Sequence, residues 1–210
     1  MRWYQIFVLI YLALFILSAV IIIVVKRRRS RITPDRLKKS SSKDLRLLQQ
    51  YTKTIILVWF LIILGFTFNP VLMHQLKMPI FFESPELRVI GLSTAFIFLI
   101  GFIAAQWQTG HSLHTEIDEK KRPKLVAHGF YRYMRHPASA FLLGSFASFI
   151  IVYPGNATVV LWGITFFNSY WQAVAEEKFF FRQYGKRYEG YKAQTGRFWP
   201  KFPGYKALGV

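Results

Sequence analysis

Three apolar runs without a single charged residue constrain this chain more than any other feature. Residues 3–25 ("WYQIFVLIYLALFILSAVIIIVV"), 54–73 ("TIILVWFLIILGFTFNPVLM") and 89–107 ("VIGLSTAFIFLIGFIAAQW") each supply about the 20 apolar residues that a helix needs to cross a bilayer. Two further candidates, 138–153 and 157–175, are separated only by "PGN". That turn signal reads them as an antiparallel helical hairpin with slightly short arms. The expectation is an all-α integral membrane protein with about five transmembrane helices. With 53% hydrophobic residues and 18% aromatic ones, the composition agrees.

Charge gives the orientation. The chain carries 28 Lys and Arg against 10 Asp and Glu, which in a soluble protein would suggest nucleic acid or an anionic surface as partner. With the N-terminus outside and the C-terminus in the cytoplasm, the segments 26–53, 108–137 and 176–210 hold 11, 6 and 8 of the 28, and only Arg2, Lys77 and Arg88 lie outside. This is the positive-inside pattern, so no nucleic-acid partner is expected. The first run is too long for a cleaved signal peptide and its basic cluster follows it, so it reads as an anchor. The linker 30–50 reads as a surface segment on anionic membrane lipids. The absence of cysteine removes disulfides, thiolate metal sites and cysteine nucleophiles.

Chemistry gathers in two stretches on the cytoplasmic side of this topology. The first, residues 108–137, ends in "LVAHGFYRYMRHP", and the second begins "AEEKFFFRQYGKRYEGYKAQTGRFWP". Glu176 and Glu177 stand where the last apolar run ends, with Gln172 one helical turn before Glu176 on the same face. An ionisable group at such a place is costly unless it is paired or lines a wet cavity, which singles out Glu176. Glu177 reads as solvated or as the cap of a basic cluster. Phe180, Tyr184, Tyr188 and Tyr191 form an aromatic stripe on an amphipathic helix that can fold back over the spans, with Gly196 and Pro200 ending it. His111 and His114 with Glu116 and Asp118 are a weak metal pattern, and no metal site is expected. No nucleotide-binding or serine-hydrolase motif occurs.

The order "LVAHGFYRYMRHP", a helical hairpin, "EEKFFFRQYGKRYEGYKAQTGRFWP" resembles the isoprenylcysteine carboxyl methyltransferase and phospholipid methyltransferase superfamily of integral membrane enzymes. The resemblance covers residues 106–200. It implies S-adenosylmethionine as methyl donor in a cytoplasm-facing pocket capped by the C-terminal helix, and a lipophilic small-molecule or lipidated acceptor. On that basis 1–87 is a transmembrane pair with a basic linker. Residues 88–210 are the methyltransferase core: spans three to five, the loop 108–137 and the C-terminal helix. The cofactor contacts carried over fall on Pro123, Lys124, Leu125, Val126, Tyr131, His136, Pro137, Ala138, Ser139 and Glu176, and catalytic roles on Glu176, Arg135 and Gln172. Two departures stand out. Ala138 to Phe141 replace the family's tyrosine and glycine after "RHP", and Gln172 stands where the prenylcysteine branch has arginine, so a carboxylate acceptor loses its counter-charge. The competing readings are an NADPH-dependent membrane reductase of the related sterol reductase fold and a non-catalytic relative.

Overall fold

The computed structural model describes residues 2–29, 43–76, 80–81, 83–112 and 125–202. Among these, seven α-helices and one 3-10 turn follow each other: α1 Trp3–Arg29, α2 Lys43–Phe68, α3 Pro70–Gln75, α4 Pro85–Ser112, the 3-10 turn Gly129–Arg132, α5 Pro137–Val152, α6 Asn156–Tyr184 and α7 Lys186–Gln194. There is no sheet among the described residues; only the isolated bridges Ile80–Gly155 and Met134–Gly196 occur.

Three helices are long and apolar enough to cross a membrane, over Trp3–Val25, Leu47–Phe68 and Pro85–Thr109. They expose Ile6, Leu17, Leu61, Ile97 and Ile100 to their surroundings, which suits lipid and not water. The protein is therefore a multi-pass membrane protein. The second run starts and ends earlier than its apolar composition alone predicts, because Asn69 and Pro70 interrupt the helix, and Pro70 opens α3.

The expectation of about five spans ending in a short hairpin, with a C-terminal helix as a cap, is not met. Helix α5 has 16 residues, about 24 Å at 1.5 Å per residue, against a hydrocarbon core of about 30 Å. Pro137 starts it and Pro154–Gly155 stops its continuation. Helix α6 is no matching arm: it runs 29 residues, straight through Glu176 and Glu177, and it packs chiefly along α2. With Asn168, Ser169 and Gln172 within it, it is not apolar enough to count as a span, and several of its polar residues face inward. Thr158, Thr165, Ser169 and Glu177 are buried, while Val160, Ile164, Phe167 and Trp171 are exposed. Helix α7 is a nine-residue piece set off by Gly185, whose φ of +56° favours glycine. The aromatic stripe crosses this break intact, Phe180 meeting Tyr188 at 5.8 Å and Tyr188 meeting Tyr191 at 6.0 Å between ring centres.

The helices are tied by apolar packing and by polar rungs. Trp59 stacks on Phe146 at 4.7 Å and donates its indole N–H to Thr165 at 2.9 Å. Tyr11 pairs with Ser145 at 2.6 Å, and Ser145 donates to the Ala95 carbonyl. Tyr153 pairs with Thr67 at 2.6 Å. On the α6 side, Asn168 donates to the Thr52 hydroxyl and Thr52 donates to Gln172, both at 2.8 Å. Without water, each hydroxyl needs such a partner, and each rung fixes the rotation of one helix against another. Helices α4 and α5 approach backbone to backbone at Gly91, where a Cβ would lie 3.0 Å from the Ser148 carbonyl oxygen and 3.1 Å from the Val152 nitrogen.

Gly91→Leu should therefore lower stability by about 1–3 kcal/mol through overpacking. Gly163→Ala, with nothing within 4 Å of the added carbon, should leave it unchanged or raise it. Thermal unfolding of the detergent-solubilised protein checks both.

Candidate functional site

The site is built where the end of α6 meets the segment entering α5. Tyr133 to His136 pair with the return of the chain after α7: Gly196 and Lys201 donate backbone N–H to the Tyr133 carbonyl at 3.0 and 2.9 Å, Arg135 N–H donates to Gly196 at 2.8 Å, and His136 N–H donates to Arg197 at 3.1 Å. Gly196 is required here, since a Cβ would overlap the Trp199 carbonyl. The element lying on the "RHP" motif is thus a bent, irregular strip of backbone, not a helix.

Glu177 sits beneath this strip with only 6% of its side chain accessible. Its carboxylate accepts from Arg135 Nε at 3.1 Å and from Arg197 Nε and Nη2 at 2.9 and 3.1 Å. The His136 Nε2 atom lies 3.5 Å away and the Lys192 ammonium 3.7 Å away. Burial on its own would raise the carboxyl; the hydrogen bonds and charges of His136, Arg197 and Arg135 outweigh it and hold the group far below the usual carboxylate range. Arg135 also donates to the carbonyls of Lys192 and Thr195. The expectation that Glu177 is solvated or caps a basic cluster is not met: it is buried among its cationic partners.

Glu176 faces the other side of the His136 ring, its Oε2 3.4 Å from Nδ1, and 24% of its side chain is accessible. Gln172 donates its amide to Glu176 at 2.9 Å. A chain of polar groups therefore runs Asn168, Thr52, Gln172, Glu176, His136. Burial would lower the His136 imidazole, but the two carboxylates reverse this and leave it raised.

Of the other residues singled out from sequence, Pro123 and Lys124 lie outside the described residues, as do His114, Glu116 and Asp118 of the metal pattern. Leu125 and Val126 are half-buried in the irregular stretch before the 3-10 turn. Tyr131 meets the Thr109 hydroxyl with its own, and its carbonyl accepts from Tyr191 at 2.7 Å; burial pushes the phenol up. Pro137 is buried at the first turn of α5, and Ala138 and Ser139 follow it half-buried. No side chain caps that helix start. Two buried polar atoms here have no hydrogen-bond partner: His136 Nε2 and the Tyr188 hydroxyl. Among the described residues no group of three or more His, Cys, Asp or Glu could hold a metal ion. Sequence reasoning missed Arg197 and Thr195, and read Tyr188 only as a member of the aromatic stripe. A lone arginine after a glycine carries no signal until the strip it belongs to is known to fold back.

The model of the phospholipid methyltransferase family matches residues 86–187, from the start of α4 into α7. A domain of this family, within the superfamily that the motifs resemble, therefore occupies that part of the chain, and Arg135, His136, Gln172, Glu176 and Glu177 all lie inside it. No curated protein matches the chain.

Removing the Glu177 carboxylate leaves two arginines facing each other in a buried place, so Glu177→Ala should destabilise by about 3–5 kcal/mol. Glu189→Ala, on an exposed residue, should stay within about 0.5 kcal/mol. Denaturant unfolding in detergent measures both.

The pH dependence has two signs. Glu177 is depressed, so its contribution is complete above the ordinary value of 4.5 and is lost as pH falls through the depressed one. His136 is raised, so its contribution is complete below 6.5 and is lost as pH rises through the raised value. The unfolding temperature should be highest between these limits, and His136→Gln should flatten the alkaline fall.

Proposed function

We propose that this protein is an integral membrane S-adenosylmethionine-dependent methyltransferase acting on a lipophilic or amphipathic acceptor, with its site facing the cytoplasm. The observation that carries the reading is the meeting of Arg135, His136, Glu176 and Glu177 inside the stretch matched by the phospholipid methyltransferase family. The residues present fit the cofactor. The start of α5 lacks a side-chain cap, and such backbone N–H groups receive a carboxylate well. His136 directly precedes that helix, its ring held between Glu176 at 3.4 Å and Glu177 at 3.5 Å. Glu176 keeps part of its carboxylate accessible, which suits a cationic partner.

S-adenosylmethionine supplies, when bound, an electrophilic methyl group on a sulfonium. His136 with the backbone of Ala138 and Ser139 would hold the methionine carboxylate, Tyr131 with Leu125 and Val126 the adenosine part, and Glu176 the positive end. Gln172 orients Glu176. Arg135, occupied by Glu177 and two carbonyls, positions the motif and does not reach for substrate. Orientation and exclusion of water by these groups supply rate without a covalent nucleophile.

An apolar acceptor is supported by a cavity of about 470 Å3 lined by Phe98, Ala140, Phe141, Trp162, Phe166 and Phe198. Its two hydroxyls are spent on their own helices, Thr94 on the Ile90 and Gly91 carbonyls and Ser148 on Gly144. Phe198 links the cavity to the site, its ring 6.1 Å from that of His136. The cavity runs along α5 from Ala140 to Ile151, about 16 Å, roughly one leaflet of a bilayer. Of the departures at Ser139 and Phe141, Phe141 lies in its wall.

Calorimetry with S-adenosylhomocysteine should show saturable binding, weakened at least tenfold, about 1.4 kcal/mol, by Glu176→Ala and by His136→Ala. Binding of NADPH in place of S-adenosylhomocysteine would overturn the reading in favour of a reductase.

A further inference from the structure

A second cavity, of about 720 Å3, lies in the elbow between α6 and α7. It shares Glu177 and Arg197 with the site above but not Arg135, His136 or Glu176. Its lining has two characters. Lys178, Arg182, Lys192 and Arg197 supply four cations against Glu177 and Glu189; Glu177 is shared by Arg135 and Arg197 and has the Lys192 ammonium 3.7 Å away, so the positive excess of the elbow rests on Lys178 and Arg182. Val174, Phe181 and Ala193 make the rest apolar, with Phe181 exposed.

The depth of the elbow follows from the α2–α6 rungs. Trp59 pairs with Thr165 and Thr52 with Gln172, so the two helices run antiparallel. Five residues separate Thr52 from Leu47, where the apolar stretch of α2 begins, and five separate Gln172 from Glu177. Equal rise per residue puts Glu177 level with Leu47, at the border of the apolar layer. Val174 is then on the chain side of that border, and Lys178 and Arg182 are on the head-group side.

We infer that this elbow binds an anionic phospholipid, its phosphate-bearing head group among Lys178, Arg182 and Lys192, level with Phe181, and the start of its chains against Val174. A free phosphate would use the cations but not the apolar wall, and a zwitterionic lipid would leave the positive excess unanswered. The bound head group bridges α6 to α7. Because the Lys192 carbonyl accepts from Arg135, the bridge also steadies the strip that carries Gly196 and Arg197. The inference holds whether or not the protein transfers methyl groups.

Native mass spectrometry of the full chain in detergent, titrated with phosphatidylglycerol or phosphatidylcholine, tests it. One phosphatidylglycerol should bind in preference to phosphatidylcholine, with affinity reduced at least tenfold in Lys178→Gln/Arg182→Gln and also reduced in Lys192→Gln. Lys186→Gln/Arg187→Gln, outside the cavity, should bind as the wild type does. Binding of S-adenosylhomocysteine should be equal in the wild type and in the Lys178/Arg182 variant, which separates this site from the first. Equal retention of both lipids, unchanged affinity in both elbow variants, or displacement of the lipid by inorganic phosphate would overturn the inference.

Discussion

A carboxylate taken out of water at the end of a membrane helix is unfavourable by several kcal/mol unless cations and hydrogen bonds replace its solvation. Glu177 obtains that replacement from groups distant in sequence: Arg135 before α5, and Arg197 after α7. The segment entering α5, the end of α6 and the returning strip are therefore held by one group. Arg135 then extends the junction to the carbonyls of Lys192 and Thr195, and the backbone ladder between 133–136 and 196–201 can only form once these segments are together. The geometry of His136, which stands between the two glutamates, depends on all of it.

Helix α6 can deliver Glu177 to this place because its polar and apolar faces are reversed relative to a soluble helix. Thr165 is locked to Trp59, and Thr52 is locked to both Asn168 and Gln172. These rungs set the rotation of α6 against α2, and so decide which of two neighbouring glutamates turns inward. On the other side of the assembly α4 packs along α5, closely at Gly91, and its far end meets the 3-10 turn that carries Tyr131 through Thr109 and Gln108.

What was legible in the sequence were features carried by local chemistry. Charge-free runs mark the three spans, although the equally charge-free runs 138–153 and 157–175 are not spans, and "RHP" with the acidic pair marks the candidate site, because such residues at a membrane border need partners. The length of α6 was not legible, since a polar inward face lowers its apolarity where the helix in fact continues. The role of Glu177 was only latent. Thr158, Thr165 and Ser169 are small polar residues spaced seven and four apart, and two further steps of four from Ser169 reach Glu177. Reading that phase as the inner face would have found it. The partner Arg197 had no such signal, because its position is fixed by a tertiary strip between 133–136 and 196–201.

The two glutamates differ in what surrounds them more than in where they sit. Glu177 is saturated by two guanidiniums, an imidazole edge and a nearby ammonium, so little of its negative field is left over. Glu176 has the neutral amide of Gln172 and one side of His136, and it is the more accessible of the pair. An arginine in place of Gln172 would neutralise Glu176 as Arg135 and Arg197 neutralise Glu177. Glutamine fixes the position of the carboxylate through a hydrogen bond and leaves the His136 imidazole, 3.4 Å away, as its cationic neighbour in place of a guanidinium. In the proposed reading such a site would present the accessible carboxylate of Glu176 to a cationic group, and no guanidinium at position 172 would meet an acidic acceptor there. The departure at Gln172 therefore acts on both partners of the proposed reaction: it favours the positive end of the cofactor and disfavours a carboxylate as the group to be methylated.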